Sequence, residues 1–243
     1  MKLSLIIPVY NERATAATLL EQIMSLELPG VEKEIVIVEG GSTDGTTEIV
    51  RGFESRPGVR VVYEGRPSGK GAAVRRGLAL VTGDVVVVQD GDLEYSVSDY
   101  PRLLRPLQED RADVVFGSRA LDPRQKWQYR QFRGNLERLY GLAINWGGLF
   151  YTVLFNVLYG TSFTDGATMY KLYRGSMLKR ITLRSDGFDF DWEIVAKLAK
   201  GGCRFAEVPV AYKARSSEEG KKIRFWRDGW RVFVAIIRYR LMD

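Results

Sequence analysis

A run of four valines that ends in acidic residues constrains this chain more than any other feature. Val85–Val88 are followed by Gln89 and then by Asp90, Asp92 and Glu94 at alternate positions. An apolar β-branched run of this kind predicts a buried strand. Its acidic end places several carboxylates at one edge of a sheet, where they repel one another unless a positive charge lies nearby. A divalent cation carrying a phosphate is the usual partner, so the motif predicts an enzyme.

The first half of the chain alternates strand patterns with helix patterns. The predicted strands are Leu3–Val9, Glu34–Val38, Val59–Tyr63, Asp84–Gln89 and Asp113–Gly117, and the predicted helices are Ala14–Leu26, Thr46–Ser55, Gly71–Val81 and Ser98–Glu109. Such alternation predicts an α/β fold with a mostly parallel sheet and helices on both faces. Ligands bind these sheets beyond the carboxyl ends of the strands, and every polar motif of this half follows a strand.

The pattern changes after Arg119. A polar loop is predicted over Leu121–Arg133, helices over Asn135–Tyr159 and Ser185–Gly201, a strand over Phe205–Tyr212, and a basic, aromatic helix from Ile223 onward. No linker interrupts the chain, so we expect one domain over residues 1–243.

Composition excludes several kinds of site. The chain has no histidine, which rules out imidazole acid–base chemistry and imidazole metal ligands, and its single Cys203 allows no internal disulfide. The apolar run at the N-terminus is too short for a signal peptide. Trp146–Tyr159, the longest apolar stretch, falls short of the roughly 20 residues that span a bilayer, so we expect no transmembrane segment.

Two apolar segments predict helices that lie in a membrane interface. Trp146–Phe155 is too apolar for a solvated helix, and Phe225–Arg240 interleaves aromatic residues with arginine. The last 31 residues hold nine Lys or Arg against four Asp or Glu, so this segment carries +5 of the net charge of +6. Packing against the core is the alternative for both segments. Nucleic acid is disfavoured as a partner, because Val234–Ile237 offers no base-stacking surface.

Four loops carry a resemblance to a known family. They are Pro8-Val9-Tyr10-Asn11-Glu12, Glu39-Gly40-Gly41-Ser42-Thr43-Asp44-Gly45-Thr46, Asp90-Gly91-Asp92-Leu93-Glu94-Tyr95 and Gly117-Ser118-Arg119, and the match continues through Val208-Pro209-Val210 and residues 215–222. Together they resemble family 2 inverting glycosyltransferases of the GT-A fold, and most of all the polyprenyl-phosphate sugar synthases of the dolichyl-phosphate mannose synthase type. The resemblance assigns residues 1–119 to the nucleotide-sugar, 120–215 to the acceptor and 216–243 to a membrane-interface tail.

The resemblance implies a donor site in the first two loops. Pro8, Tyr10 and Glu12 match residues that hold the base and ribose, and Glu39 offers an acceptor for a base N–H. Gly40 departs from the family, which usually has a second aspartate there, so the base stays open. GDP-mannose is the donor that the resemblance favours, with UDP-glucose as the alternative. A plain turn with a helix N-cap also explains the segment from Ser42 to Gly45.

The resemblance also implies Mg²⁺ or Mn²⁺ at the acidic loop. The candidate ligands are Asp90, Asp92 and Glu94, with Asp92 the direct ligand, while Asp90 could instead lie near the ribose and Glu94 near the acceptor. Lys70 lies in Gly69-Lys70-Gly71, which lacks the spacing of a P-loop. It belongs either to a strand-to-helix turn or to a phosphate contact.

The acceptor implied by the resemblance is a lipid phosphate. Arg119, Arg133 and Arg215 match arginines of the lipid-phosphate branch, and Lys221 or Lys222 could add to them. A phosphate monoester is already anionic, so it needs no strong general base. Asp165 and Asp191 remain candidates for sugar contacts, or for a base if the acceptor is a hydroxyl. Asp191 and Glu193 could equally complement a helix dipole.

These observations predict an inverting hexosyltransferase, with mannose preferred, that uses a polyprenyl or dolichyl phosphate on the cytoplasmic face of a membrane as a peripheral protein. A family 2 enzyme using UDP-glucose or a sugar hydroxyl is one alternative, and an inactive membrane-associated nucleotide-binding protein is another. A sugar-1-phosphate nucleotidyltransferase would need a Gly-rich, Arg-containing loop where Pro8–Glu12 stands.

Overall fold

The computed structural model describes residues 1–122, 135–215 and 225–242, and one seven-stranded sheet lies at the centre of this part of the chain. The strands are β1 (Lys2–Val9), β2 (Glu32–Glu39), β3 (Val59–Tyr63), β4 (Val85–Val88), β5 (Val114–Ser118), β6 (Lys171–Arg174) and β7 (Phe205–Pro209). The helices are α1 (Ala16–Ser25), α2 (Thr46–Arg51), α3 (Lys70–Leu78), α4 (Tyr100–Gln108), α5 (Asn135–Tyr159), α6 (Gly175–Leu178), α7 (Phe190–Lys200) and α8 (Phe225–Leu241).

The strand order is β3-β2-β1-β4-β6-β5-β7. All described pairings are parallel except those of β6, which runs antiparallel to β4 and to β5. The predicted α/β fold with a mostly parallel sheet is therefore confirmed. The sequence did not predict β6, because a four-residue strand that begins with lysine has too few residues to show a period.

Both faces of the sheet are covered, which explains the continuous apolar strands. In β1, Leu5 and Ile7 pack into one core cluster and Ile6 packs into the other, and the valines of β4 divide in the same alternating way. One cluster includes side chains of α1 and α4, and the other includes side chains of α3, α5, α7 and α8. A strand buried on both faces needs no polar alternation, as the sequence of β4 predicts.

Helices α5 and α8 pack against each other above the second cluster. The Tyr151 hydroxyl donates to the Gly229 carbonyl (2.9 Å), and the Tyr159 hydroxyl donates to the Ile236 carbonyl (2.8 Å). Both helices also present large apolar side chains to the outside, among them Val157 in α5 and Trp230 and Leu241 in α8.

Within the described residues, Gly141–Tyr159 is long and apolar enough to cross a membrane by length and composition, a test that core helices of soluble proteins also pass. This finding departs from the expectation that the apolar stretch is too short.

Candidate active site

A cavity of about 1680 Å³ opens at the carboxyl ends of β1 and β4. One part of its wall carries both acidic and basic side chains, and another part is formed by apolar residues of α5 and α8. The residues predicted for the site that line it are Pro8, Tyr10, Glu12, Lys70, Asp90, Asp92, Glu94, Arg119, Asp165, Asp191 and Arg215. Glu39 is not among the lining residues, and Arg133, Lys221 and Lys222 lie outside the described residues.

The acidic loop is held in place by a buried glutamine at the end of β4. The Gln89 side chain accepts a hydrogen bond from the Tyr100 hydroxyl (2.7 Å) and donates to the Asp90 carbonyl (3.0 Å). The loop then turns so that the Glu94 N–H donates to Asp92 Oδ1 (3.0 Å). The carboxylates of this loop consequently face the cavity rather than bulk water.

Arg215 lies among three carboxylates of the cavity. Its Nη1 donates to Glu12 Oε2 (2.9 Å), its Nη2 donates to Asp92 Oδ2 (2.6 Å), and its Nε lies 3.8 Å from Glu94 Oε1. That Nε is buried and has no hydrogen-bond partner among the described residues. The guanidinium therefore offsets the charge of the cluster but leaves one donor unsatisfied, which is a cost in a buried site.

Glu94 joins the acidic loop to the chain that follows β7. Its Oε2 accepts from the Tyr212 hydroxyl (2.9 Å), and its Oε1 accepts from the Arg215 backbone N–H (2.9 Å). The Glu94 carbonyl also accepts from the Lys213 N–H (2.8 Å). With both carboxylate oxygens in these bonds, Glu94 positions the segment that carries Arg215.

Asp92 is the most strongly perturbed acid of the loop. Burial raises the pKa of Asp92 to about 7, and the charges of Asp90 and Glu94 act in the same direction, whereas Arg215 lowers it. A carboxyl in such surroundings ionises readily only when more positive charge reaches it, which is the behaviour expected of a cation ligand.

The donor set fits a hard divalent cation that is held by one or two protein carboxylates. Among the described residues, no group of three or more Asp, Glu, His or Cys is arranged to hold a metal ion. Mg²⁺ and similar cations are commonly bound by one or two carboxylates, with phosphate oxygens and water completing the shell. Asp92 suits that role. The assignment of Asp90 and Glu94 as further ligands stays a prediction.

Lys70 neutralises the other aspartate of the motif. It begins α3, forms an ion pair with Asp90, and lies 5.5 Å from the centre of the Phe188 ring. Gly69, just before it, has a φ of +100°, a backbone conformation that favours glycine. Lys70 therefore lies both in the turn that begins the helix and beside the cavity. Its contact with a phosphate stays a prediction.

A second arginine of the cavity, Arg119, is fixed by a bidentate ion pair. Arg119 donates from Nε to Asp165 Oδ2 (2.7 Å) and from Nη2 to Asp165 Oδ1 (2.8 Å), and its backbone N–H donates to the same carboxylate (3.0 Å). Burial favours the neutral acid, but Arg119 outweighs it and lowers the pKa of Asp165 below the ordinary value. The Arg119 guanidinium also lies 5.1 Å from the centre of the Tyr212 ring.

Asp191 has a cation partner that sequence analysis missed. Lys171, in β6, is buried and forms an ion pair with Asp191, while the Tyr173 hydroxyl donates to Asp191 Oδ1 (3.3 Å). Lys171 also donates to the carbonyls of Gly166 and Thr168, and burial lowers its pKa. The lysine stood in the sequence between Tyr170 and Leu172, but nothing local indicated that it points inward.

Glu193 was named beside Asp191 as a complement to the helix dipole. It accepts the backbone N–H groups of Arg184 and Ser185 and pairs with Lys197, which holds the start of α7 in place.

The loop after β2 is organised by its own side chains. Glu39 is buried, and its Oε1 and Oε2 accept the N–H groups of Ser42 (2.8 Å) and Gly41 (3.0 Å). A Cβ at Gly40 would lie 3.3 Å from the Val9 carbonyl oxygen and 3.4 Å from Tyr10 Cβ. Glu39 therefore stabilises the turn, and its contact with a base stays a prediction.

The sequence of this chain matches the model of the family described as glycosyl transferase family 2 over residues 4–182. The glycosyltransferase AglJ of Haloferax volcanii is 30% identical over 232 residues, which are 95% of this chain and 69% of AglJ. An undecaprenyl-phosphate mannosyltransferase of Micrococcus luteus is 29% identical, over 91% of this chain and 87% of that protein. Two further curated relatives are matched over only 62% and 60% of their length.

A similar fold is present in a solved structure. Glucosyl-3-phosphoglycerate synthase from Mycobacterium tuberculosis, in complex with Mn²⁺, uridine diphosphate and phosphoglyceric acid, superimposes with a TM-score of 0.71. The alignment covers 100% of this chain and 79% of that one at 20% sequence identity. At that level of identity the similarity concerns the fold.

Proposed function

The chain belongs to glycosyltransferase family 2, and from this premise we propose that it transfers a hexose, preferably mannose, from a nucleotide-sugar to a polyprenyl or dolichyl phosphate, with inversion. The observation that carries the proposal is the composition of one cavity. It is lined both by the acidic loop with its arginines and by apolar side chains of α5 and α8. Such a wall suits a ligand with a phosphate at one end and a hydrocarbon chain at the other.

On this proposal the donor lies between the acidic loop and the loops after β1 and β3. The Tyr10 ring offers a stacking surface for the base, and Lys70 and Arg215 place two cationic groups where a diphosphate would sit. Asp92 would hold Mg²⁺ or Mn²⁺, which when bound neutralises charge on the diphosphate as it leaves. GDP-mannose is the proposed donor and UDP-glucose the alternative.

The charges of the cavity favour an acceptor that is already anionic. Asp165 pairs with Arg119 and Asp191 pairs with Lys171, while Asp92, whose pKa is raised, is assigned to the cation. A carboxylate held by a cation is a weak base, so deprotonating a sugar hydroxyl is poorly served here. A phosphate oxygen needs no such help. It attacks the anomeric carbon, the bond from that carbon to the donor phosphate oxygen breaks, and the electron pair leaves with the nucleoside diphosphate.

Membrane contact is part of the proposal. Trp146 and Trp230 expose 60% and 66% of their surface, and Trp230 stacks on Phe233 with 5.6 Å between ring centres. Tryptophan is favoured at the boundary between lipid and water. The names of relatives such as the Micrococcus luteus enzyme support a lipid-phosphate acceptor. We propose the cytoplasmic face of a membrane as the location of the protein.

A transfer assay with labelled GDP-mannose and UDP-glucose tests the function. Polyprenyl phosphate in vesicles should collect label in the organic phase with Mg²⁺ or Mn²⁺, and EDTA should stop this. Asp92→Asn should also stop it, while Asp84→Asn should not, because Asp84 is an exposed residue at the other end of β4.

Label that survives chelation would overturn the metal assignment. Label on a sugar hydroxyl, together with its loss in Asp165→Asn or Asp191→Asn, would favour the hydroxyl-acceptor alternative. If calorimetry detects no metal-dependent nucleotide binding, the alternative of an inactive membrane-associated protein is favoured.

A further inference from the structure

Arg215 occupies one of the two carboxylate oxygens of Asp92 that a cation could bind. Nη2 of Arg215 lies 2.6 Å from Asp92 Oδ2, and the other oxygen of Asp92 already accepts the Glu94 N–H at 3.0 Å. A divalent cation binds a carboxylate oxygen at about 2.0–2.6 Å. A cation on Asp92 would therefore lie within a few ångströms of the guanidinium, and two positive centres so close in a partly buried site repel strongly.

The same guanidinium is incompletely satisfied where it lies. Its Nε is buried without a hydrogen-bond partner among the described residues, at 3.8 Å from the nearest oxygen of Glu94. A diphosphate presents several oxygens in a geometry that a guanidinium can bind through two N–H groups at once. A bound diphosphate could thus satisfy the unused donor and separate the two positive charges with negative oxygens.

We propose that Arg215 and the divalent cation compete for Asp92, and that the diphosphate of the donor resolves the competition by accepting Arg215. This inference rests on the proposed function, and it adds to that function an order in which the cation and the nucleotide bind. The cation binds weakly alone and tightly together with a nucleoside diphosphate. Arg215 is then a positioning residue, since it keeps the acidic cluster together until the donor arrives and afterwards lies against the phosphates.

Mn²⁺ alone is the decisive probe, measured by the electron paramagnetic resonance signal of the free ion. Arg215→Gln removes the charge and keeps a polar side chain, so it should bind Mn²⁺ without nucleotide at least about tenfold more tightly than the wild type, within the range typical of coupling between two sites. In the wild type, GDP or UDP should tighten Mn²⁺ binding by a similar factor. In Arg215→Gln that enhancement should largely vanish.

Two matched variants separate this competition from a general effect of charge. Arg105→Gln removes the same charge from an exposed arginine of α4 that pairs with Glu109, and it should bind Mn²⁺ as the wild type does. Arg215→Lys keeps a cation beside the cluster and should also remain weak for Mn²⁺ alone. Thermal unfolding confirms that each variant is folded, and if Arg215→Gln is not, the tightening of wild-type Mn²⁺ binding by GDP or UDP still tests the inference.

Equal Mn²⁺ affinity of Arg215→Gln and the wild type would overturn the inference. The inference also fails if Arg105→Gln or Arg215→Lys gains as much affinity as Arg215→Gln. If these effects appear and no lipid-linked product forms, only the proposed acceptor fails. If lipid-linked product forms and Mn²⁺ affinity does not respond to Arg215, only the competition fails.

Discussion

Two aspartate–arginine clusters lie at opposite ends of the same sheet, and they behave in opposite ways. At the amino ends of β5 and β7, Asp113 accepts hydrogen bonds from Arg204 and Arg174, and its pKa falls to about 2. At the carboxyl ends, Asp92 is paired with Arg215, yet its pKa rises to about 7.

The difference lies in the neighbouring charges and in solvation. Asp113 has two arginines and a backbone N–H on its oxygens, and these outweigh the effect of burial. Asp92 is buried beside Asp90 and Glu94 and has one arginine, so burial and like charge prevail. The first cluster is complete within the protein. The second is short of positive charge, as expected where a charged ligand is to bind.

A substitution at Asp92 should separate the two clusters most clearly. We expect Asp92→Asn to lower transfer at least about 100-fold, the scale of losing one group that stabilises developing charge. Its thermal stability should stay equal or rise, because an amide removes repulsion from Asp90 and Glu94. An initial-rate assay and a thermal melt check both. Wild-type transfer rates in this variant would contradict the site.

At Asp113 we expect a substitution to lower stability rather than activity. Asp113→Asn should lower the free energy of unfolding by about 2 kcal/mol, roughly 30-fold in the unfolding equilibrium, because hydrogen bonds between charged groups are lost. Transfer activity should be kept. Urea unfolding measures the loss, and Asp110→Asn is the matched control, since Asp110 pairs with the same arginines but is largely exposed. Equal losses in both variants would contradict a special role for Asp113.

A third variant leaves both clusters intact and changes only the apolar wall. Trp230→Ser should reduce binding to lipid vesicles roughly tenfold, the scale of burying one large apolar side chain. Mn²⁺ and nucleotide binding should be unaffected. Co-sedimentation with vesicles measures this, and Tyr63→Ser, which removes an exposed aromatic ring from β3, is the control. Unchanged vesicle binding would argue against the proposed membrane contact.

The smallest expected effect is a pH dependence at Asp113. Its pKa is about 2 in the folded protein, against nearly 4 for an ordinary aspartate. Because the folded value is the lower one, the stabilisation is fully present above about pH 4 and is lost as the pH falls toward 2. The stability difference between the wild type and Asp113→Asn should therefore shrink over this window in urea unfolding. A constant difference would contradict the assignment.

Local sequence patterns were enough to predict most of the sheet. The apolar runs of β1 and β4 are buried on both faces, so their composition alone indicates strands, and the loops after them reach the cavity because parallel strands end at one edge. Asp90 and Asp92 were expected at that edge for this reason, Tyr10 was proposed from the family resemblance, and all three line the cavity.

The pairings inside the site could not be predicted in the same way. Arg215 contacts Glu12 across 203 positions of the sequence, and Lys171 meets Asp191 through a short antiparallel strand. Neither contact leaves a periodic signal. At Glu39, the hydrogen bonds of the carboxylate to its own loop were not predicted, and its contact with a base stays a prediction.

The antiparallel course of β6 has a consequence for the whole molecule. Its first residue, Lys171, pairs with Asp191, which lines the cavity, and its last, Arg174, pairs with Asp113 at the other end of the sheet. One strand of four residues, about 10 Å long, thus supplies a cation to each side of the protein. A slip of β6 along β4 and β5 would move Lys171 away from Asp191 and Arg174 away from Asp113 at once, so a single hydrogen-bonding register positions both ion pairs.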